Sequence, residues 1–220
     1  AILFVLTSMF AFRSGRVEDP LVSMLGLYVP LTSLLLGVVG VLCSTQEYSQ
    51  GTIRITLVAT PHRMKVLLSK MMTMLLVAFV ASAVLVTMCL VPSQFILNYR
   101  EVTFDLVGPD IRVIFGVFIL TAMMAELGLA LGLILKSSPG AVSALLLWPT
   151  ILEGIIFGLM SLALDRNVIR FAPIQGNGFR LIATSFTSDE NSWLTSLGYF
   201  SAFVSVFVVI SAVLFSRRDA

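Results

Sequence analysis

The hydrophobic positions of this chain fall in long unbroken blocks between short polar connections, without the two-residue alternation of a half-buried strand or the narrow stripe of a surface helix. Five blocks are complete: about Leu21 to Cys43, Met71 to Val91, Ile111 to Leu135, Ala141 to Leu164 and Trp193 to Phe215. Each has the roughly 20 apolar residues that carry an α-helix across a bilayer. A shorter run, Ala1 to Phe12, reads as the outer half of a further crossing whose beginning lies before Ala1. No basic stretch precedes it and no small-residue cleavage site follows it, so it does not read as a signal peptide. Barrel strands alternate apolar and polar residues in runs of about ten, which excludes a barrel. The expected fold is therefore an all-α integral membrane protein: one transmembrane domain over 1–220, built as a six-helix bundle. Pro30 and Pro149 inside two of the blocks fit this fold, because neighbouring helices can satisfy the carbonyls they free.

Composition sharpens the exclusion of a soluble enzyme. The chain is 58% hydrophobic and 12% charged, with a mean hydropathy of +1.01; a soluble domain is about 45–50% apolar and about 25% charged. A net charge of +2 leaves no electrostatic footprint for nucleic acid. Charge does not orient the bundle. One set of connections, Ser44 to Lys70, Ser137 to Gly140 and the SRRDA tail, carries Arg54, Arg63, Lys65, Lys70, Lys136, Arg217 and Arg218. The opposite set, Arg13 to Pro20, Pro92 to Asp110 and Asp165 to Ser192, carries Arg13, Arg16, Arg100, Arg112, Arg166, Arg170 and Arg180. Basic residues near the membrane decide orientation, and here they balance.

Two cysteines, Cys43 and Cys89, end successive crossings near opposite surfaces, about 30 Å apart. A disulfide requires Cα atoms within about 7 Å, so none is expected between them. Both read as small apolar packing residues.

The long polar connection, CSTQEYSQGTIRITLVATPHRMKVLLSK, is the most structured of the loops in composition. Ile53, Ile55 and Leu57 alternate as a strand would, although the flanking residues also allow a short helix. Thr60 as N-cap with Pro61 at the first helical position predicts a helix running into the third crossing. Glu47, Gly51, Thr52, Leu57, Thr60, Pro61, Arg63 and Lys70 together resemble the first cytoplasmic loop of ABC type-2 exporter permeases. The short turn at Lys136 to Ala141 and the sizeable segment before the last crossing also resemble that family.

The resemblance implies a six-crossing permease subunit in which 44–70 is cytoplasmic and acts as a coupling loop, with Glu47, Gly51, Thr52, Arg54, Thr60, Pro61 and Arg63 meeting the ATPase. It implies an outer re-entrant segment at 165–192, and pairing with a second copy or a related permease in the cell membrane, as in a bacterial plasma membrane. The exported substrate would be amphipathic or hydrophobic: a drug, an antimicrobial peptide or a lipid-like molecule. No G-x-x-x-x-G-K-[ST] phosphate loop occurs in the chain, so ATP and magnesium are expected on a separate nucleotide-binding subunit and no cofactor on this one.

His62 is the sole histidine and has no Cys, Asp or Glu cluster around it, which argues against zinc. No Ser, His and Asp arrangement is available for nucleophilic catalysis, so an enzymatic role is not expected. Gly128 with Gly132, and Gly154 with Gly158, form two G-x-x-x-G pairs suited to helix packing, within the subunit or between copies. The segment 165–192 mixes apolar residues with Pro173 and glycines, as expected of chain that lies in the interface or dips back, and Trp193 suits an interfacial anchor.

Glu126 and Glu153 are the only charged residues deep inside crossings. An ionised carboxylate there costs about 2.5–3.5 kcal/mol on insertion scales, so both should turn away from lipid. Each is either a protonated or hydrogen-bonded helix clamp or part of a translocation path, and Glu153, which shares a face with Pro149 and Phe157, is expected on the path. The alternative function, a secondary transporter or channel, would use these two carboxylates to carry protons or cations.

Overall fold

The computed structural model describes residues 20–51, 63–99, 108–183 and 192–217, and these residues are helical with no strand among them. The helices are α1 (Pro20–Ser49), α2 (Arg63–Tyr99), α3 (Gly108–Leu135), α4 (Ser138–Leu147), α5 (Glu153–Leu164) and α6 (Trp193–Arg217). A π-helical turn, Trp148–Leu152, joins α4 to α5. Three further short turns, Ile169–Phe171, Pro173–Gly178 and Phe179–Ile182, lie in the described part of the segment between α5 and α6. Five helical stretches are long and apolar enough to cross a membrane: Tyr28–Ser49, Met64–Val91, Ile111–Leu135, Ser138–Leu164 and Trp193–Ser216. The chain is a multi-pass helical membrane protein on this evidence of length and composition. The partial run Ala1 to Phe12, proposed as the first crossing, lies outside the described residues.

Two expectations need correction in detail. The helices outrun the apolar blocks, most of all α2, which begins at Arg63, in keeping with the helix expected to run into this crossing, and continues eight residues past Val91 to Tyr99. At 1.5 Å per residue its 37 residues measure about 56 Å, against about 30 Å of hydrocarbon, so α2 must extend past the bilayer core. The block Ala141 to Leu164 is not one uniform helix either. Pro149 has no N–H to offer the i→i−4 ladder, and the chain relaxes there into the wider π-helical turn. Pro30, in contrast, lies within an unbroken α1, where the Ser33 hydroxyl donates to the Pro30 carbonyl at 2.8 Å and that of Thr32 to Tyr28 at 2.9 Å.

α3 is the axis of the bundle. Two-thirds of its span (67%) is buried, against 17% for each of the last two spans, so α4, α5 and α6 present most of their apolar surface outward. Its closest neighbour is α1, and glycine makes that approach possible. A Cβ added at Gly128 would sit 1.9 Å from the Gly37 carbonyl oxygen, and one at Gly40 would sit 2.3 Å from that of Ala125. At Gly132 the obstacle is the Ser44 hydroxyl, also at 1.9 Å. The first G-x-x-x-G pair is therefore a packing seam inside the subunit. The second is not: nothing lies within 4 Å of a Cβ at Gly158, and Gly154 meets only the Gln175 side chain.

α2 docks on α3 through a buried hydroxyl pair, Ser82 Oγ to Thr121 Oγ1 at 2.5 Å. Cys89 is buried in the main apolar core with Val117, Leu120 and Phe200, and Cys43 borders a second core of Leu36, Leu67, Met74 and Phe215. Neither cysteine forms a disulfide among the described residues.

Candidate functional site

At one end of the bundle the closing turns of α1 meet the start of α2 and the α3–α4 turn. Glu47 forms an ion pair with Lys70 at 2.5 Å, the Ser138 hydroxyl donates to Thr45 Oγ1 at 2.7 Å, and the Lys136 ammonium lies 5.0 Å from the centre of the Tyr48 ring. Lys136 itself takes a left-handed conformation (φ +52°), which lets the chain reverse from α3 into α4 within two residues. Gly51 closes α1 with φ +69°, the left-handed position at which glycine carries no Cβ penalty. Of the predicted coupling residues, the structure thus places Glu47 and Gly51 at this end. Arg63 opens α2, while Thr52, Arg54, Thr60 and Pro61, with the strand-or-helix stretch between them and His62, lie outside the described residues.

A second polar feature is a carboxylate that organises the segment between α5 and α6. The π-helical turn brings Trp148, Pro149 and Glu153 together, and Glu153 is buried to 1% exposure. Its Oε1 accepts the indole N–H of Trp148 at 2.8 Å and the backbone N–H of Ile174 at 3.0 Å. Its Oε2 accepts Ile174 at 3.1 Å and the backbone N–H of Gln175 at 2.7 Å. Ile174 and Gln175 belong to the first turn of Pro173–Gly178, whose leading N–H groups have no partner within the turn, so an acceptor is required from elsewhere. Gln175 reciprocates by donating from Nε2 to the Pro149 carbonyl.

The same accounting explains the other polar side chains of the segment. Asn177, fully buried, donates from Nδ2 to the carbonyls of Arg170 at 3.0 Å and Ala172 at 2.9 Å. Trp193 at the head of α6 donates its indole N–H to the Leu181 carbonyl at 3.1 Å. Ile174, Leu181 and Ile182 then pack into the core with α3 and α6. Sequence reasoning had picked out Glu153 but not Gln175, Asn177 or this role for Trp193. The available signal was their type: amide and indole donors in an apolar stretch without helix periodicity must serve backbone groups that no helix serves. Arg180, in the same segment, is partly buried, and burial pulls its guanidinium below the usual value.

Glu126 is set differently. It faces inward from α3 at 7% exposure, and neither carboxyl oxygen has a hydrogen-bond partner among the described residues. It is not among the partners of Glu153, so the two carboxylates do not form a shared site through direct bonds. No group of three or more His, Cys, Asp or Glu that could hold a metal occurs among the described residues. No family model, curated protein or solved structure matches this chain.

Proposed function

We propose that this chain is the membrane-spanning permease subunit of an ABC type-2 exporter, coupling ATP hydrolysis on a separate nucleotide-binding subunit to export of an amphipathic or hydrophobic substrate. The observation that supports the reading most is the joined end of the bundle. Glu47 with Lys70, Thr45 with Ser138 and Tyr48 with Lys136 tie the end of α1, the start of α2 and the α3–α4 turn to one another, at the two chain ends that the 52–62 stretch joins. A push on that loop would reach α1, α2 and the α3–α4 turn together, and α1 is locked to α3 by the glycine seam. The subunit works with a second copy or a related permease in the cell membrane.

Affinity purification of the full chain from its native membrane tests this. It should bring down an ATPase chain containing a phosphate loop, and ATP turnover should reside in that chain alone. Arg63→Glu or Gly51→Pro should lower export per ATP hydrolysed while leaving membrane insertion unchanged. ATP turnover by the isolated chain would refute the subunit reading.

A second reading rests on Glu126. An inward carboxyl without a described partner suits a proton or cation carrier, and would make the chain a secondary transporter or channel. Under that reading Glu126→Gln abolishes gradient-driven flux; under the exporter reading flux follows ATP instead.

A further inference from the structure

We propose that an apolar slot between α3, α4 and α6 is a binding site for one acyl chain of a bilayer lipid. The slot holds about 300 Å³ and is walled by Leu127, Leu131 and Ile134 of α3, Leu145 of α4, Phe203 of α6 and Ile174 of the segment between α5 and α6. That volume is at the small end of the ~300–1,000 Å³ of ordinary ligand sites. Along α3 the lining runs from Leu127 to Leu135, a rise of about 12 Å, comparable with a stretch of acyl chain.

Its chemistry excludes polar guests. The one polar side-chain atom among the lining residues is the Trp148 indole nitrogen, and its N–H is already donated to Glu153. A water molecule needs two to four polar partners, and this lining of leucine, isoleucine and aromatic side chains is a poor source of them. Left empty, its lining would lose dispersion contacts on the open side. Hydrocarbon is the medium that reaches it: the rim residues Leu135 and Trp148 are partly exposed, and their surface continues into exposed Leu147 and Ile151 on the same membrane-crossing stretch. The slot is thus continuous with the lipid-facing surface. Two of its walls are also fixed by one group, since Glu153 binds both Trp148 and the backbone of Ile174. The inference is independent of ATP coupling.

The test uses the full chain in nanodiscs of phosphatidylethanolamine and phosphatidylglycerol, with a trace of phosphatidylcholine carrying a diazirine near the end of one acyl chain. After illumination, peptide mapping should find label on Leu131, Leu145 and Phe203 about tenfold above that on Leu76 and Leu162, the contrast expected of a site ~1.4 kcal/mol deep. Leu76 and Leu162 serve as the open-surface reference, at 64% and 82% exposure. Ala144→Trp, which fills the slot from its α4 wall, should erase the excess, as should the milder Ala144→Leu in part; Leu162→Trp should not change it. Equal labelling of slot and open surface overturns the proposal, as does an excess that survives both Ala144 variants. Disulfide formation between two copies of Phe203→Cys overturns it too, since a second copy would then occupy the slot.

Discussion

The Glu153 carboxylate holds the backbone N–H of Ile174, 21 residues further along the chain, through both of its oxygens, at 3.0 and 3.1 Å. One acidic side chain on a membrane-crossing helix thereby caps the first turn of the segment that follows. Glu153→Ala leaves three donors without their acceptor: the buried N–H of Ile174, at a cost of about 1–3 kcal/mol, and the part-buried donors of Trp148 and Gln175, at less each. Glu153→Gln keeps one oxygen and so loses fewer of them. Thermal unfolding in detergent and protease cleavage within 165–192 should rank wild type above Gln above Ala. Equal behaviour of all three would remove the clamp.

The glycine seam makes an asymmetric prediction. Gly128→Ala forces its new methyl against the Gly37 carbonyl and should destabilise the fold by about 1–3 kcal/mol, the usual range for overpacking. Gly158→Ala meets nothing within 4 Å and should be neutral or gain up to about 1 kcal/mol of helix propensity. Melting temperatures of the two variants, measured side by side, check this. A larger loss at Gly158 would instead indicate that its face packs against another subunit.

The crossings were legible because twenty-odd apolar residues in a row have few alternatives, and the blocks at Ile111 to Leu135 and Trp193 to Phe215 match α3 and α6 to within a few residues. The closing turns of α1 and the far end of α2 were not, since Thr45–Ser49 is polar and 92–99 lies past the apolar block, whereas the helical stretch from Arg63 to Lys70 agrees with the start signal at Thr60 and Pro61. Glu153 could be singled out by the expense of a carboxylate in an apolar run. Its partners could not, because the capped turn is distant in sequence and carries no helix period. Gly128 and Gly132 were visible as a pair, whereas their counterparts Gly37 and Gly40, three apart, match no G-x-x-x-G spacing and emerge only from the packing of α1 on α3.

Lys70 is nearly buried and pairs with Glu47, so charge reversal should be non-additive. Glu47→Lys and Lys70→Glu should each destabilise the chain, and the double reversal should recover part of the loss. A coupling energy of about 1 kcal/mol is expected, above that of a typical exposed pair, from a double-mutant cycle on thermal unfolding. Additive losses would detach α1 from α2 at this end.

The driving force for transport tests the central claim most directly. In inverted membrane vesicles containing the full complex, uptake of hydrophobic cationic and neutral dyes should require ATP, should persist when a protonophore collapses the ion gradient, and should vanish when the phosphate-loop lysine of the partner ATPase is replaced. Uptake that proceeds without ATP, stops with the protonophore and is lost in Glu126→Gln would contradict the exporter account.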